Sequence, residues 1–174
     1  MVICSASSKL AAASQPFVRA KFLLARGRNL DIVTQVQIEN AHPHLAVHLL
    51  KSAWAAYVCE LGDAVPERLP DDELFALLDT TLSTLDRAPD DAHALSLAGA
   101  WFEARLLAHS GYAPTLGRCV ACGTKIVVPA SETTQPVEYS PSLGGTLCAA
   151  CASRDPARLS VAVQALRVLR RLER

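Results

Sequence analysis

The sequence predicts a multi-domain, mainly α-helical chain: a β-hairpin near its start, an α-helical bundle in the middle and a Cys4 zinc finger toward its end. Three observations predict this. Two strand-like runs flank a turn containing Gly27 and Asn29, three stretches with helical apolar spacing follow, and two Cys-x2-Cys pairs come after them. With 174 residues, 51% of them hydrophobic, the chain holds enough apolar surface for one ordinary domain or two small ones plus a metal module. No run approaches the roughly 18 uninterrupted apolar residues of a membrane span.

The strand-like runs are 17–25 and 30–38, joined by Arg26-Gly27-Arg28-Asn29. In the first, Val18, Ala20, Phe22 and Leu24 alternate with Arg19 and Lys21; in the second, Leu30, Ile32, Val36 and Ile38 alternate with Asp31, Gln35 and Glu39. The expectation is a hairpin with one face in the core and one in water. A lone hairpin is marginal in water, so something must cover it.

Three helices are expected next. Over 44–61, Ala46, Leu49, Leu50, Ala53, Trp54, Tyr57, Val58 and Leu61 recur at three- and four-residue spacing, with Gly62 placed to end the run. Asp71 can cap a second helix that has Asp72 and Glu73 in its first turn and Leu74, Leu78, Leu82 and Leu85 on its stripe. Asp90 or Asp91 can cap a third, running through Leu95, Ala98, Phe102 and Leu106 to Gly111 and Pro114. Trp54, Phe75, Trp101 and Phe102 are expected to help fill the bundle core. Cys59 falls on the apolar side of the first helix, as a small core residue.

Cys119-Val120-Ala121-Cys122 and Cys148-Ala149-Ala150-Cys151 have the spacing of a structural zinc site. Each pair lets two thiolates face one ion from a tight turn, and the second pair completes a tetrahedral shell. Such a closed shell leaves no position for a water or substrate, so it argues for architecture and against zinc catalysis. Disulfides would use the same cysteines, but Met1 to Cys4 is too short an apolar run for a secretory signal, and a redox Cys-x-x-Cys usually accompanies a βαβ pattern that is absent here. Within the module, 126–128 and 137–139 are short strand candidates and 140–145 a turn. The last segment, 160–174, reads as a basic amphipathic helix with Ala162, Ala165, Leu166, Leu169 and Leu172 on its stripe. Its arginines read first as a solvated face rather than a DNA or membrane contact.

Lys plus Arg and Asp plus Glu both number 17, giving zero net charge, but the balance conceals a division. Lys9, Arg19, Lys21, Arg26 and Arg28 precede the first acid, Asp31; the stretch 60–91 is strongly acidic; and the residues after Cys151 are again basic. Such asymmetry can present a positive face to phosphates on a neutral molecule. The five basic residues at the start read equally as a solubilising charge run and as candidate DNA contacts. Enzyme signatures are missing: the histidines at 42, 44, 48, 93 and 109 form no His-Glu-x-x-His or Cys-His arrangement, and there is neither a phosphate-cradling Gly-rich loop nor a Gly-x-Ser-x-Gly elbow.

Several ordered segments carry a resemblance: Gln15-Pro16-Phe17, the run from Leu23 to Gln35, Phe102-Glu103-Ala104-Arg105-Leu106-Leu107, Gly111-Tyr112-Ala113-Pro114, the cysteine quartet, and Ser140-Pro141-Ser142-Leu143-Gly144-Gly145-Thr146-Leu147-Cys148. Together they resemble the bacterial recombination mediator family RecO over nearly the whole chain.

The resemblance implies a partial OB-fold over 1–40, holding only the later strands of the barrel, a helical domain over 41–115, a Cys4 finger over 116–155, and a basic helix over 156–174 that returns to the helical domain. It also implies a non-enzymatic, cytoplasmic, nucleoid-associated protein with a structural Zn2+. Its partners would be single- and double-stranded DNA, RecR and the single-strand-binding protein, and it would anneal strands and help load RecA, with no membrane partner. The other reading of the same residues is a zinc-ribbon adaptor that contacts proteins only.

Overall fold

A computed structural model of the chain describes residues 9–65, 70–127 and 136–172. It divides into two compact units, Met1–Phe102 and Glu103–Arg174.

In the first unit, helix α1 (Lys9–Ala13) packs on a two-stranded antiparallel sheet of β1 (Arg19–Ala25) and β2 (Ile32–Asn40). The hairpin forms where the alternation places it, with Lys21 opposite Gln37 and Ala25 opposite Ile32. Its faces differ from the expectation. The register shifts between Leu23 and Leu24, where Leu23 pairs with Gln35 but Leu24 with Val33, so the two ends of the hairpin lose a common alternation. Phe22, Leu24, Leu30, Ile32 and Ile38 are all exposed, so the expected buried apolar face is absent from the described structure.

The single helix expected over 44–61 is two: α2 (Pro43–Val47) and α3 (Leu49–Asp63), separated by extended backbone at His48. Pro43 supplies the fixed φ that suits a first helical position. The α2 N-terminus has no cap from its own His42; Asp86 Oδ1 instead accepts from His44 N at 2.8 Å and Leu45 N at 3.2 Å. Gly62 does not end α3 but lies inside it, buried, where a Cβ would meet Leu78 Cδ2 at 2.9 Å. Lys51, Ala55, Val58 and Gly62 form the buried stripe of α3, facing α4 (Asp72–Arg87).

Helix α4 starts as expected, with Asp71 accepting from Leu74 N at 2.8 Å. Its core residues are Thr81, Leu85 and Asp86, whereas Phe75 is exposed and takes no part in the core expected for it. Asp91 takes the same capping role for α5 (Ala92–His109), accepting from Ala94 N at 2.9 Å. Leu95, Gly99 and Phe102 form the buried stripe of α5, and Trp54 lies against Gly99. The end of α5 turns through Gly111 at φ 81°, a left-handed conformation that costs glycine little.

His42 is buried at φ 42°, with Nδ1 2.7 Å from the Phe17 carbonyl and Nε2 3.1 Å from Ser83 Oγ. These contacts on both ring nitrogens tie the segment leading into β1 to α4 and hold a left-handed backbone conformation that costs a non-glycine residue energy.

The second unit holds a three-stranded antiparallel sheet in the order β4-β3-β5, from β3 (Val137–Ser140), β4 (Gly145–Leu147) and β5 (Leu159–Val161). A 3-10 helix, Ala149–Arg154, and α6 (Val163–Leu172) complete it. The strand expected over 126–128 is not an element; Lys125 makes an isolated bridge with Arg118, and Val128 lies outside the described residues. The helix expected from 160 begins at Val163, because Leu159–Val161 pairs with β3 instead. Arg174 lies outside the described residues. Asp155, 6% exposed, fastens the turn after β3: it accepts from Ser140 Oγ at 2.5 Å, Ser142 Oγ at 2.8 Å and Ala157 N at 2.9 Å.

Candidate metal centre

The first cysteine pair is shaped by a short loop. Cys119 N donates to Thr124 O and Gly123 N to Cys119 O, both at 2.8 Å, and Gly123 takes φ 76° to close the turn. The second pair closes with Cys151 N donating to Cys148 O at 2.9 Å as the 3-10 helix begins. Strand β4 joins the pairs: Val120 N donates to Thr146 O at 3.0 Å, and Thr146 N to Thr115 O at 2.9 Å. Gly145 lies so close to Thr115 that a side chain there would run into its carbonyl oxygen.

These constraints bring the Sγ atoms of Cys119, Cys122, Cys148 and Cys151 within 4.8 Å of one another. Cys122 and Cys148 are 3.7 Å apart. A tetrahedral ion with metal–sulfur bonds of about 2.3 Å needs sulfur–sulfur edges of about 3.8 Å, so the cluster fits a closed four-thiolate shell. Cys119, Leu147 and Cys151 are buried together, with Val120, Ala121, Ile126 and Cys148 packed around them. All five described cysteines are free thiols.

The thiols resist ionising together. At Cys119, burial opposes ionisation, but hydrogen bonds from the backbone of Cys148, Ala121 and Cys122 more than offset it and lower the pKa to about 6. Hydrogen bonding with Thr124, whose Oγ1 is 3.2 Å away, also lowers the Cys122 pKa. Cys151 goes the other way, pushed up to about 12 by Cys148 first, then by burial and its other sulfur neighbours. Four thiolates this close need a cation among them. Cys59 stands apart in the first unit, half-buried, with its thiol pushed up by burial.

The basic residues singled out near the start are in unlike surroundings. Arg19 pairs with Glu39 at 2.8 Å and Asp79 at 2.5 Å, and its guanidinium lies 5.6 Å from the Phe75 ring centre. Lys21 pairs with Glu39 at 2.5 Å. Arg26 and Arg28 are exposed beside the hairpin turn and, among the described residues, form no ion pair. Lys9 opens α1, and its side chain lies outside the description. Two positions that sequence reasoning passed over also act, as Asp86 and Lys51 join helix ends in the first unit; Arg170, expected on a solvated face, instead joins α6 to the cysteine loop.

Comparison with known proteins decides the family. The family described as "Recombination protein O C terminal" matches residues 47–174. The chain belongs to the RecO family. Proteins named "DNA repair protein RecO" are similar to it over most of its length. The one from Desulforudis audaxviator is 40% identical over 86% of this chain and 56% of its own. Those from Symbiobacterium thermophilum and Pelotomaculum thermopropionicum are 35% and 39% identical, over 95% and 83% of this chain and 63% and 52% of their own. The chain thus spans between half and two thirds of the length of these RecO relatives. Among the described residues, no helix is long and apolar enough to cross a membrane.

Proposed function

We propose that this chain is a DNA-binding recombination mediator in DNA repair, which anneals complementary strands and helps load RecA on DNA coated by the single-strand-binding protein, in concert with RecR. The observation that carries this reading is the RecO family match, which runs through the cysteine centre to the last residue. Relatives of the same family are named for DNA repair.

In this reading the cysteine centre holds Zn2+ as a structural ion. Cys119, Cys122, Cys148 and Cys151 would ligate it, and bound zinc supplies the positive charge that lets all four ionise. The rest of the function is physical. Exposed cations track phosphate backbones and bring strands together, and the affinity falls as salt rises because counterions are no longer released to advantage. On the hairpin, Arg26 and Arg28 are placed for this, with Lys9 ahead of them; Arg19 and Lys21 are held by Glu39 and Asp79 and contribute less.

One observation favours the second reading, a zinc-ribbon adaptor without DNA binding. A cleft of about 1290 Å3 lies in the first unit, lined by Phe22, Leu74, Phe75 and Leu78 with Asp63 and Asp72 among its polar residues, and its apolar floor with a polar edge could receive a protein segment. Electrophoretic mobility with single-stranded DNA over a salt series separates the readings. Binding that weakens steeply with salt supports the mediator; no binding at low salt sinks it.

A further inference from the structure

We propose that the cysteine module carries a second DNA-backbone site, formed by Arg118 and Lys125 beside the first cysteine pair and extended by α6, and that its ligand is duplex DNA. The inference rests on the DNA-binding reading above and assigns it a second surface. Charge points there first. The unit Glu103–Arg174 has nine basic against five acidic residues, a net +4, whereas Met1–Phe102 has eight against twelve, a net −4. Four thiolates around a divalent ion contribute −2, so the module stays positive when loaded.

Geometry then gathers the charge. Arg118 and Lys125 face each other across the isolated antiparallel bridge that flanks Cys119 and Cys122, which places their side chains on one side of the loop. Both are exposed, and among the described residues neither forms an ion pair; Arg118 Nη1 bonds only to the loop's own Gly123 carbonyl, at 3.3 Å. Arg170 Nε donates to Leu116 O at 3.1 Å, and its Nη2 reaches Leu116 O and Ile126 O, two residues before Arg118 and one after Lys125. Arg170 thereby positions α6 alongside the loop, and Arg171 follows it, exposed. Two of the described acids of this unit are occupied elsewhere: Glu138 pairs with Arg158, and Asp155 holds the turn hydroxyls.

The choice of duplex follows from what the cluster lacks. Its named members are cations without an aromatic platform, and unspecific single-strand recognition leans on base stacking. A duplex offers one phosphate charge per about 1.7 Å, the densest target for such a surface. Annealing also demands contact with two backbones, and the hairpin turn offers one.

The test measures anisotropy of a labelled duplex with the zinc-loaded full chain over a salt series, alongside zinc content. The Arg118→Ala/Lys125→Ala variant is expected to keep its zinc, to lower the log–log salt slope by about 2, and to weaken binding about a hundredfold near about 50 mM salt. Arg118→Lys/Lys125→Arg is expected to bind as the parent does. If the parent itself fails to bind at low salt, the DNA-binding reading fails. If the parent binds and the alanine variant matches it, while Arg26→Ala/Arg28→Ala loses binding, the DNA-binding reading stands and the second site is overturned. Loss of zinc together with binding also overturns it, since the cations then serve only to neutralise the thiolates.

Discussion

Lys51 and Asp86 join three helix ends in one contact. Lys51 Nζ, on a side chain buried in α3, donates to the Asp86 carbonyl at 2.8 Å and the Ala88 carbonyl at 2.7 Å, while the Asp86 carboxylate caps α2. The ammonium therefore sits at the negative C-terminal end of α4, where it satisfies two carbonyls that the helix leaves open. Lys51→Met keeps much of the side-chain volume but removes both donors. It is expected to cost about 2–4 kcal/mol, read as a lower urea midpoint with an unchanged slope. A midpoint equal to the parent's would show that the buried charge adds nothing.

Gly99→Ala sets two effects against each other. A central alanine gains about 1 kcal/mol over glycine from helix propensity. Here, however, the added methyl would enter the Trp54 ring, which is stiff and held edge-on to Tyr57 at 5.8 Å between ring centres. Overpacking of about 1–3 kcal/mol wins, giving a lower melting temperature. Combining it with Trp54→Leu is expected to cost less than the two single changes together; strict additivity in a double-mutant cycle would contradict the contact.

Acid should loosen the second unit through Asp155. Hydrogen bonds from Ser140 first, then Ser142 and the Ala157 backbone, hold its pKa below the usual carboxylate value. A carboxyl depressed on folding contributes stability that is present above its unfolded pKa, about 3.9, and is lost as the pH falls through its folded pKa. Thermal melts from about pH 6 downward should therefore show a drop below about pH 4 that Ser140→Ala flattens. The same slope in the variant and the parent would remove Asp155 from the account.

Local signals made part of this structure legible. Asp71 and Asp91 announce their helices because a cap reaches only three residues along the chain. The two cysteine pairs are equally local, each closed by its own loop. What escaped sequence reasoning depends on distant partners. The break at His48 lies inside a run with helical periodicity, and the cap of α2 comes from Asp86, 42 residues away. Strand β5 is three residues long and merges into the apolar pattern of α6, so its pairing with Val137–Tyr139 leaves no mark in the sequence. The hairpin was legible as a hairpin but not in its burial, which depends on what covers it: Phe22 and Ile38 are exposed before the register shift and Leu24 and Ile32 after it.

The basic residues followed the same rule. Arg19 and Lys21 read as free charge in sequence, yet Glu39 lies across the hairpin and Asp79 comes from α4 to meet them. Arg19→Ala is accordingly expected to change DNA affinity less than Arg26→Ala, measured with the same single-stranded probe. The reverse order would mean that DNA displaces the carboxylates.

The centre of the account is the four-sulfur shell, and metal analysis coupled to thiol titration tests it most directly. Protein purified under reducing conditions should carry about one zinc per chain, with Cys119, Cys122, Cys148 and Cys151 shielded from thiol reagent until a chelator is added. Cys122→Ser should lose most of the metal. Reduced protein without zinc, its four thiols reacting as fast as those of the unfolded chain, would contradict the account.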